Sequence, residues 1–360
     1  MKKLFRAMIV LIVVLTGLFF WFTRAPTTEL IDASGRELTA GSAIRGEDEV
    51  FGGSLFEEAQ LLIKNKDFAA AKEALLRIIE QSDRDGEACI LLCDTLRELK
   101  EADEAVDYGL KAVELLPDSP GAHLAYAEAL GLQMLSNMRG IGGMLSAMTR
   151  LGTFRKALAR VTELDPDDTE ARTMLVFLHM APKPIGDIDR AIELCGEIES
   201  RDPVLGKQLL AVCYQRKEET ELAIEICLEG IEEYPEEGGF HYTLADIYVK
   251  EERFDAADVE YEAARKGGKG DVYYRSLYAQ ARMRIAHEFD PARAVALLDE
   301  FIADEPDGDT LQSVAHACWR KGNALEQLER REDALASYKE ALRRDPDLEL
   351  AKKAIAGLGQ

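Results

Sequence analysis

From residue 52 onward the apolar positions fall into two short stripes that alternate along the chain. One is spaced i, i+1, i+4 and the other i, i+4, i+7, and both are helical spacings. In 204–235 the positions are Leu210, Ala211 and Tyr214, then Ala223, Cys227 and Gly230, closed by Pro235. In 86–117 they are Leu92, Cys93 and Leu96, then Ala105, Gly109 and Ala112, closed by Pro117. The same columns return as Leu244, Ala245, Tyr248, Ala257, Tyr261 and Ala264, and again as Gly322, Leu325, Ala334, Tyr338, Ala341 and Pro346. An alanine precedes a proline by the same interval in Ala105/Pro117, Ala191/Pro203, Ala223/Pro235, Ala294/Pro306 and Ala334/Pro346. With 11 prolines in 360 residues, this comb is a repeat and not an accident of composition.

Each repeat reads as a helical hairpin. Small residues stand where the two stripes cross, so the helix axes can approach, and Tyr or Leu fills the neighbouring hole. The closing proline cannot continue a helix and pushes its predecessor out of the α region. Asp-Pro at 165–166, 202–203 and 345–346, with Asp167 or Asp347 next, stops one helix and offers an N-cap to the following one. Eight hairpins are expected, at about 52–85, 86–119, 120–167, 168–203, 204–237, 238–271, 272–308 and 315–347. The third places Phe154 in the alanine column and carries extra residues between its helices. A last helix at 348–358 serves as a cap. A lone hairpin cannot bury its apolar face, but stacked neighbours can. The expected fold class is all-α: an α-solenoid over 52–360, read as one elongated domain, with an N-terminal transmembrane helix and a C-terminal capping helix.

These columns resemble the tetratricopeptide repeat, a two-helix unit of about 34 residues. The resemblance implies that first helices line a surface that takes an extended peptide or a partner helix. The positions it places there include Phe177, Met180, Gln208, Val212, Gln215, Tyr242, Asp246, Tyr273, Trp319 and Asn323, with Tyr242 and Trp319 as leading anchors. It adds Ile90, Asp94, Arg97, Thr173, Val249 and Gln280. The family's Lys/Asn/Arg clamp for a peptide C-terminus is not recognisable. The run Leu145–Pro203 also resembles a group of bacterial extracytoplasmic tetratricopeptide proteins with a lengthened early hairpin, although Gly186-Asp187 stands where Gly-Gly is expected.

The other strong pattern lies at the start. Lys2, Lys3 and Arg6 precede an unbroken apolar run from Ala7 to Phe22. The run is short of the roughly 20 residues of a comfortable span, but Leu4, Phe5 and Thr23 extend it. Residues 1–23 are read as a membrane anchor and 24–51 as a linker. A cleavable signal peptide is the competing reading, weakened by Pro26 after Ala25. Basic residues before the run and Glu29 and Asp32 after it put the N-terminus in the cytoplasm and the repeats outside, periplasmic in a bacterium. The alternative topology keeps the repeats cytoplasmic.

Charge narrows the partners. With 44 bases and 67 acids the chain carries −23, so nucleic acid is not expected as a partner. Residues 129–162 run against this: they hold no Asp or Glu, but Arg139, Arg150, Arg155, Lys156 and Arg160. Met134, Met138, Met144 and Met148 fall in the same stretch. Either a longer hairpin packs these residues, or a basic, apolar arm, with Met138, Arg139, Met144, Arg150, Arg155 and Lys156, docks a partner or the membrane. No catalytic constellation, metal site or cofactor motif is found. The cysteines, Cys89, Cys93, Cys195, Cys213, Cys227 and Cys318, fall in packing columns and are expected to be buried thiols, one bridge among Cys195, Cys213 and Cys227 being open. The expectation is a membrane-tethered scaffold that binds protein partners in the cell envelope. The alternative is a ligand-binding accessory subunit of a membrane transporter.

Overall fold

The computed structural model describes residues 50–137, 140–183, 185–306 and 313–358. The expected anchor and nearly all of the linker lie outside them. Among the described residues there are seventeen α-helices and no strand, and no helix is long and apolar enough to cross a membrane. Hairpin 1 pairs α1 (Val50–Lys64) with α2 (Phe68–Gln81), and hairpin 2 pairs α3 (Gly86–Glu98) with α4 (Ala102–Leu115). Hairpin 3 pairs α5 (Pro120–Ser136) with α6 (Gly140–Leu164), and hairpin 4 pairs α7 (Thr169–His179) with α8 (Ile188–Glu199). Then come α9 (Pro203–Arg216) with α10 (Thr220–Glu233), α11 (Gly238–Lys250) with α12 (Phe254–Ala264), and α13 (Asp271–Ala286) with α14 (Pro291–Asp304). The last pair is α15 (Val314–Gln327) and α16 (Arg331–Arg344), followed by the single helix α17 (Glu349–Leu358).

The sequence suggests one array over 52–360. The chain packs as two compact units, one up to Leu194 and one from Cys195, with the boundary inside α8. In the C-terminal unit the first helices α9, α11, α13 and α15 touch in succession and form one layer. Each second helix, α10, α12 or α14, lies against its own partner and the next first helix, and α17 closes on α16. The N-terminal unit repeats the scheme: α3 touches α5, and α2, α4 and α6 pack against the first helix that follows each of them.

The alanine column is where this packing is decided. Ala105, Ala191, Ala223, Ala257, Ala294 and Ala334 are all fully buried, as are Tyr261 and Tyr338 beside them. Gly322 shows the tolerance at the same crossing. A Cβ there would lie 2.3 Å from a Tyr338 ring carbon, so α15 reaches α16 only because the side chain is missing.

Polar groups set the ends. Asp67, Asp85, Asp168 and Asp202 accept backbone N–H bonds from the first turns of α2, α3, α7 and α9. The cap of α7 is thus Asp168, one residue beyond the expected Asp167. Pro203 opens α9 instead of merely ending α8, because its missing N–H falls where the helix has no use for one.

The turns within hairpins carry a signal that the sequence hides. Lys66, Lys100, Glu218, Glu252, Glu288 and Glu329 all adopt left-handed backbone, with φ between 51° and 67°. The following residue's N–H returns to the carbonyl five positions back, as in Asp67 to Leu62, Glu219 to Tyr214 and Arg330 to Leu325. This is the Schellman cap, usually built with glycine.

Hairpin 3 departs from the rule. Its extra residues do not form a long loop. They lengthen the helices, to 17 residues in α5 and 25 in α6, and Gly140, Gly142 and Gly143 fall inside α6.

Gly322→Ala is expected to lower the thermal midpoint of the full chain, by about 1–3 kcal/mol of stability, through overpacking against Tyr338. Calorimetry of this variant beside Gly357→Ala, where an added methyl meets open space, checks it.

Candidate functional site

The expected binding residues do not gather in one place. Phe177 and Met180 sit half-buried at the end of α7 in the N-terminal unit, next to the fully buried Thr173. Gln208, Val212, Gln215, Tyr242 and Asp246 come together in the C-terminal unit. On α9 the series 208, 212, 215, 216 runs down one face, and on α11 the series 242, 246, 249, 250 repeats it in the next hairpin. These two helices are neighbours in the first-helix layer. Gln208 lies against Gly239, where a Cβ would be 2.4 Å from its amide nitrogen. The Gln215 amide nitrogen is buried without a hydrogen-bond partner.

Tyr242 is the best supported of the two anchors. Its ring lies edge-on to Tyr261 at 5.8 Å and under the Arg275 guanidinium at 4.5 Å, so it bridges α11 to α13. Burial pushes its hydroxyl up to about 12. Asp246 accepts the Tyr261 hydroxyl proton in a 2.5 Å hydrogen bond.

Five expected positions are held by nearer partners. Tyr273 turns to its own hairpin, donating to Glu300 on α14, and does not join the face. The Asn323 side-chain oxygen is used inside its hairpin, accepting from Tyr338 at 2.7 Å. Trp319 packs into the cluster shared by Leu325, Tyr338, Ala354, Ile355 and Leu358, so it seats the last helix. Gln280 is fully buried and serves a polar network: it donates to Asp258 at 2.5 Å, and Arg284 grips the same carboxylate at 2.6 and 3.1 Å. In the N-terminal unit Arg97 is likewise spent, bonded to Asp94 at 2.8 Å and paired with Glu128 across α3 and α5.

The sequence reading missed the cations of the face. Arg216, Lys250 and Arg282 stand on consecutive first helices, exposed, and none is ion-paired. Partial burial of its stem and the like charge of Arg216 lower the Lys250 ammonium below the ordinary lysine range, against the opposing pull of Asp246. Arg282 lies near Tyr242 and Tyr261. The signal was available: Arg216 and Lys250 follow Gln208 and Tyr242 by the same eight residues. Other bases are paired across helices, as in Lys72 with Glu101 and Glu104, Lys207 with Glu233, and Arg344 with Glu305. The face is therefore a local cationic strip with aromatic and amide groups between the charges, suited to an acidic, extended chain.

The basic arm is largely folded back. Arg150 donates to the Gln133 carbonyl oxygen, and Gln133 donates in turn to Asp103 at 2.6 Å. Arg155 crosses to the backbone carbonyl of Ile185 at 2.6 Å. Arg160 pairs with Asp118 and Glu163. Lys156 is exposed, whereas Met138 and Arg139 lie outside the described residues.

With this geometry in hand, comparison with known proteins is direct. Two family models, each described as tetratricopeptide repeat, match residues 56–120 and 315–348. One matched segment lies in each compact unit, and repeats of this kind suggest a scaffold for protein–protein interaction. A crystal structure of a tetratricopeptide repeat protein from Parabacteroides merdae is similar at TM-score 0.51 and 11% identity, over 86% of this chain and 99% of that one. The APC/C hetero-tetramer Cut9-Hcn1 is similar at TM-score 0.44 and 13% identity, over 88% of this chain and 57% of that one. The present chain thus spans little more than half the length of that relative. No curated protein matches in sequence.

Two predictions follow from the buried groups. Glu128 is 12% exposed, and burial, with Asp94, Glu170 and Asp168 nearby, pushes its carboxyl up to about 8 despite Arg97. Its unfolded value is near 4.5, so the folded chain holds a proton that the unfolded chain has lost. That contribution is complete below the unfolded value and is lost as pH rises towards 8, by up to about 1.4 kcal/mol per pH unit. Denaturant titrations at pH 5.5 and 8 should show this loss, and Glu128→Gln should flatten it. All six cysteines are free and buried, with the Cys195 and Cys213 sulfurs 3.6 Å apart. Burial raises the thiols of Cys89, Cys93, Cys227 and Cys318. Iodoacetamide should therefore leave the native chain unmodified and label it fully in denaturant, as read by intact mass.

Proposed function

We propose that this chain is a membrane-tethered scaffold that holds an acidic, extended segment of a partner protein against the first-helix face of its C-terminal unit. The observation that carries the reading is the strip of unpaired cations, Arg216, Lys250 and Arg282, in a chain of net charge −23. Gln208, Gln215 and Tyr242 add amide and aromatic contacts beside it. An extended segment can lie across α9, α11 and α13 and meet one cation on each helix. The apolar run from Ala7 to Phe22, led by Lys2, Lys3 and Arg6, supplies the tether. Its charge bias favours repeats outside the cytoplasm, where envelope assembly, secretion or support of a transporter suits such a scaffold. The reading as a ligand-binding transporter subunit has less support: the hollow beside Phe254 and Phe289 is open and rimmed by Glu252, Arg253 and Asp255.

A photo-crosslinking residue at Val249, on the cationic face, tests the scaffold in native membranes. Adducts with a protein partner are expected there and not at Val259, an exposed position on a second helix. The combined change Arg216→Glu, Lys250→Glu and Arg282→Glu should reduce the adducts roughly ten-fold or more while leaving the helical circular dichroism unchanged. Adducts that survive charge reversal would refute the acidic-segment reading. A reporter fused after Gln360 and active only outside the cytoplasm tests the topology.

A further inference from the structure

Hairpin 3 carries a second surface, distinct from the cationic face and in the other compact unit. Large apolar side chains are exposed on several helices, but elsewhere singly: Leu61 on α1, Leu110 on α4, Leu228 on α10, Val259 on α12 and Leu350 on α17. On α6 two stand one turn apart, Leu145 at 64% and Met148 at 45% exposed. They lie on the half of the helix that the lengthening of hairpin 3 created, and the whole stretch 129–162 is free of acids. Arg150 and Arg155 hydrogen-bond to neutral oxygens, of Gln133 and Ile185, so their positive charge is not cancelled at those contacts. Lys156 is exposed two turns beyond Met148.

We propose that this end of hairpin 3 rests on the membrane, with Leu145 and Met148 inserted at the level of the lipid head groups and Lys156, with the half-buried Arg150, facing anionic lipid. The inference rests on the tether of the proposed function. Three features choose a lipid surface over a protein as occupant. The chain outside the described residues ends in a run apolar enough to enter a bilayer, and it joins the same compact unit that carries hairpin 3. The linker between them, residues 24–51, spans at most roughly 100 Å even fully extended, so the unit cannot leave the neighbourhood of the bilayer. A chain of net charge −23 is repelled by anionic head groups on balance, and the acid-free stretch 129–162, in the unit that carries the tether, escapes that repulsion. Two apolar residues bind a membrane weakly by themselves. The tether makes the encounter intramolecular, at an effective concentration of about a millimolar, so a weak contact is enough to fix an orientation.

The buried native thiols make the test specific. Full-length protein with Leu145→Cys, labelled with an environment-sensitive fluorophore, is placed in vesicles of phosphatidylglycerol and phosphatidylethanolamine, with Val259→Cys as the companion site. The label at 145 should shift to the blue and lose roughly half or more of its emission to a nitroxide on the lipid head group, whereas the label at 259 should do neither. Loss of the difference on Arg150→Glu/Lys156→Glu would further support the lipid contact. If the chain floats with the vesicles but neither label responds, the tether stands and the contact is overturned. If the chain does not float at all, the tether reading itself fails, and this inference with it. A blue shift at 145 that grows with protein concentration in detergent, without lipid, would assign the surface to a second copy and overturn the proposal.

Discussion

The fold depends on how closely two helices can approach within a hairpin. Fully buried alanines at 105, 191, 223, 257, 294 and 334 let the axes come together, and Tyr261 or Tyr338 fills the space beside them. Everything else follows from that spacing. A hairpin closed this tightly leaves one apolar side uncovered, so it must take the next first helix as a lid. The first helices then line up in a layer, and their remaining side chains become a face with a regular pitch. The cationic strip exists because residues eight apart from Gln208 and Tyr242 point the same way in successive hairpins.

Charge is distributed accordingly. Many bases sit beside an acid, on their own helix or a neighbouring one, and such exposed pairs add little stability each. The network around Asp258 is different: Gln280 and Arg284 are buried and converge on one carboxylate, so removing that carboxylate would strand an arginine away from water. What sets Arg216, Lys250 and Arg282 apart is that they recur on consecutive first helices, outside any ion pair.

Much of the architecture was legible because the repeat is periodic in residue size. The alanine and proline columns mark helix pairs whatever their surroundings. The face was half legible. Gln208, Val212, Gln215, Tyr242 and Asp246 fall together because they share a register, but Tyr273, Asn323 and Trp319 share it loosely and are claimed by nearer partners: Glu300, Tyr338 and the last helix. Register says which way a side chain leaves its helix; it does not say whether a neighbour is within reach. In hairpin 3 the extra residues expected between the helices lengthen the helices themselves: a glycine inside a helix costs only about 1 kcal/mol, and the stacked neighbours outweigh it. The second compact unit was invisible, since the repeat pattern continues across Leu194 without a break.

The left-handed turn residues have a thermodynamic consequence. Six hairpins close with lysine or glutamate where glycine would sit without strain, at about 1 kcal/mol each. That weakens every hairpin in isolation and leaves the contacts between neighbours untouched. In a linear array the ratio of these two quantities sets how sharply it melts. Strained turns shift the ratio towards the contacts, so partly frayed forms become scarce and each unit tends to unfold all at once. A partner that binds across three helices then meets a surface that is wholly present or wholly absent.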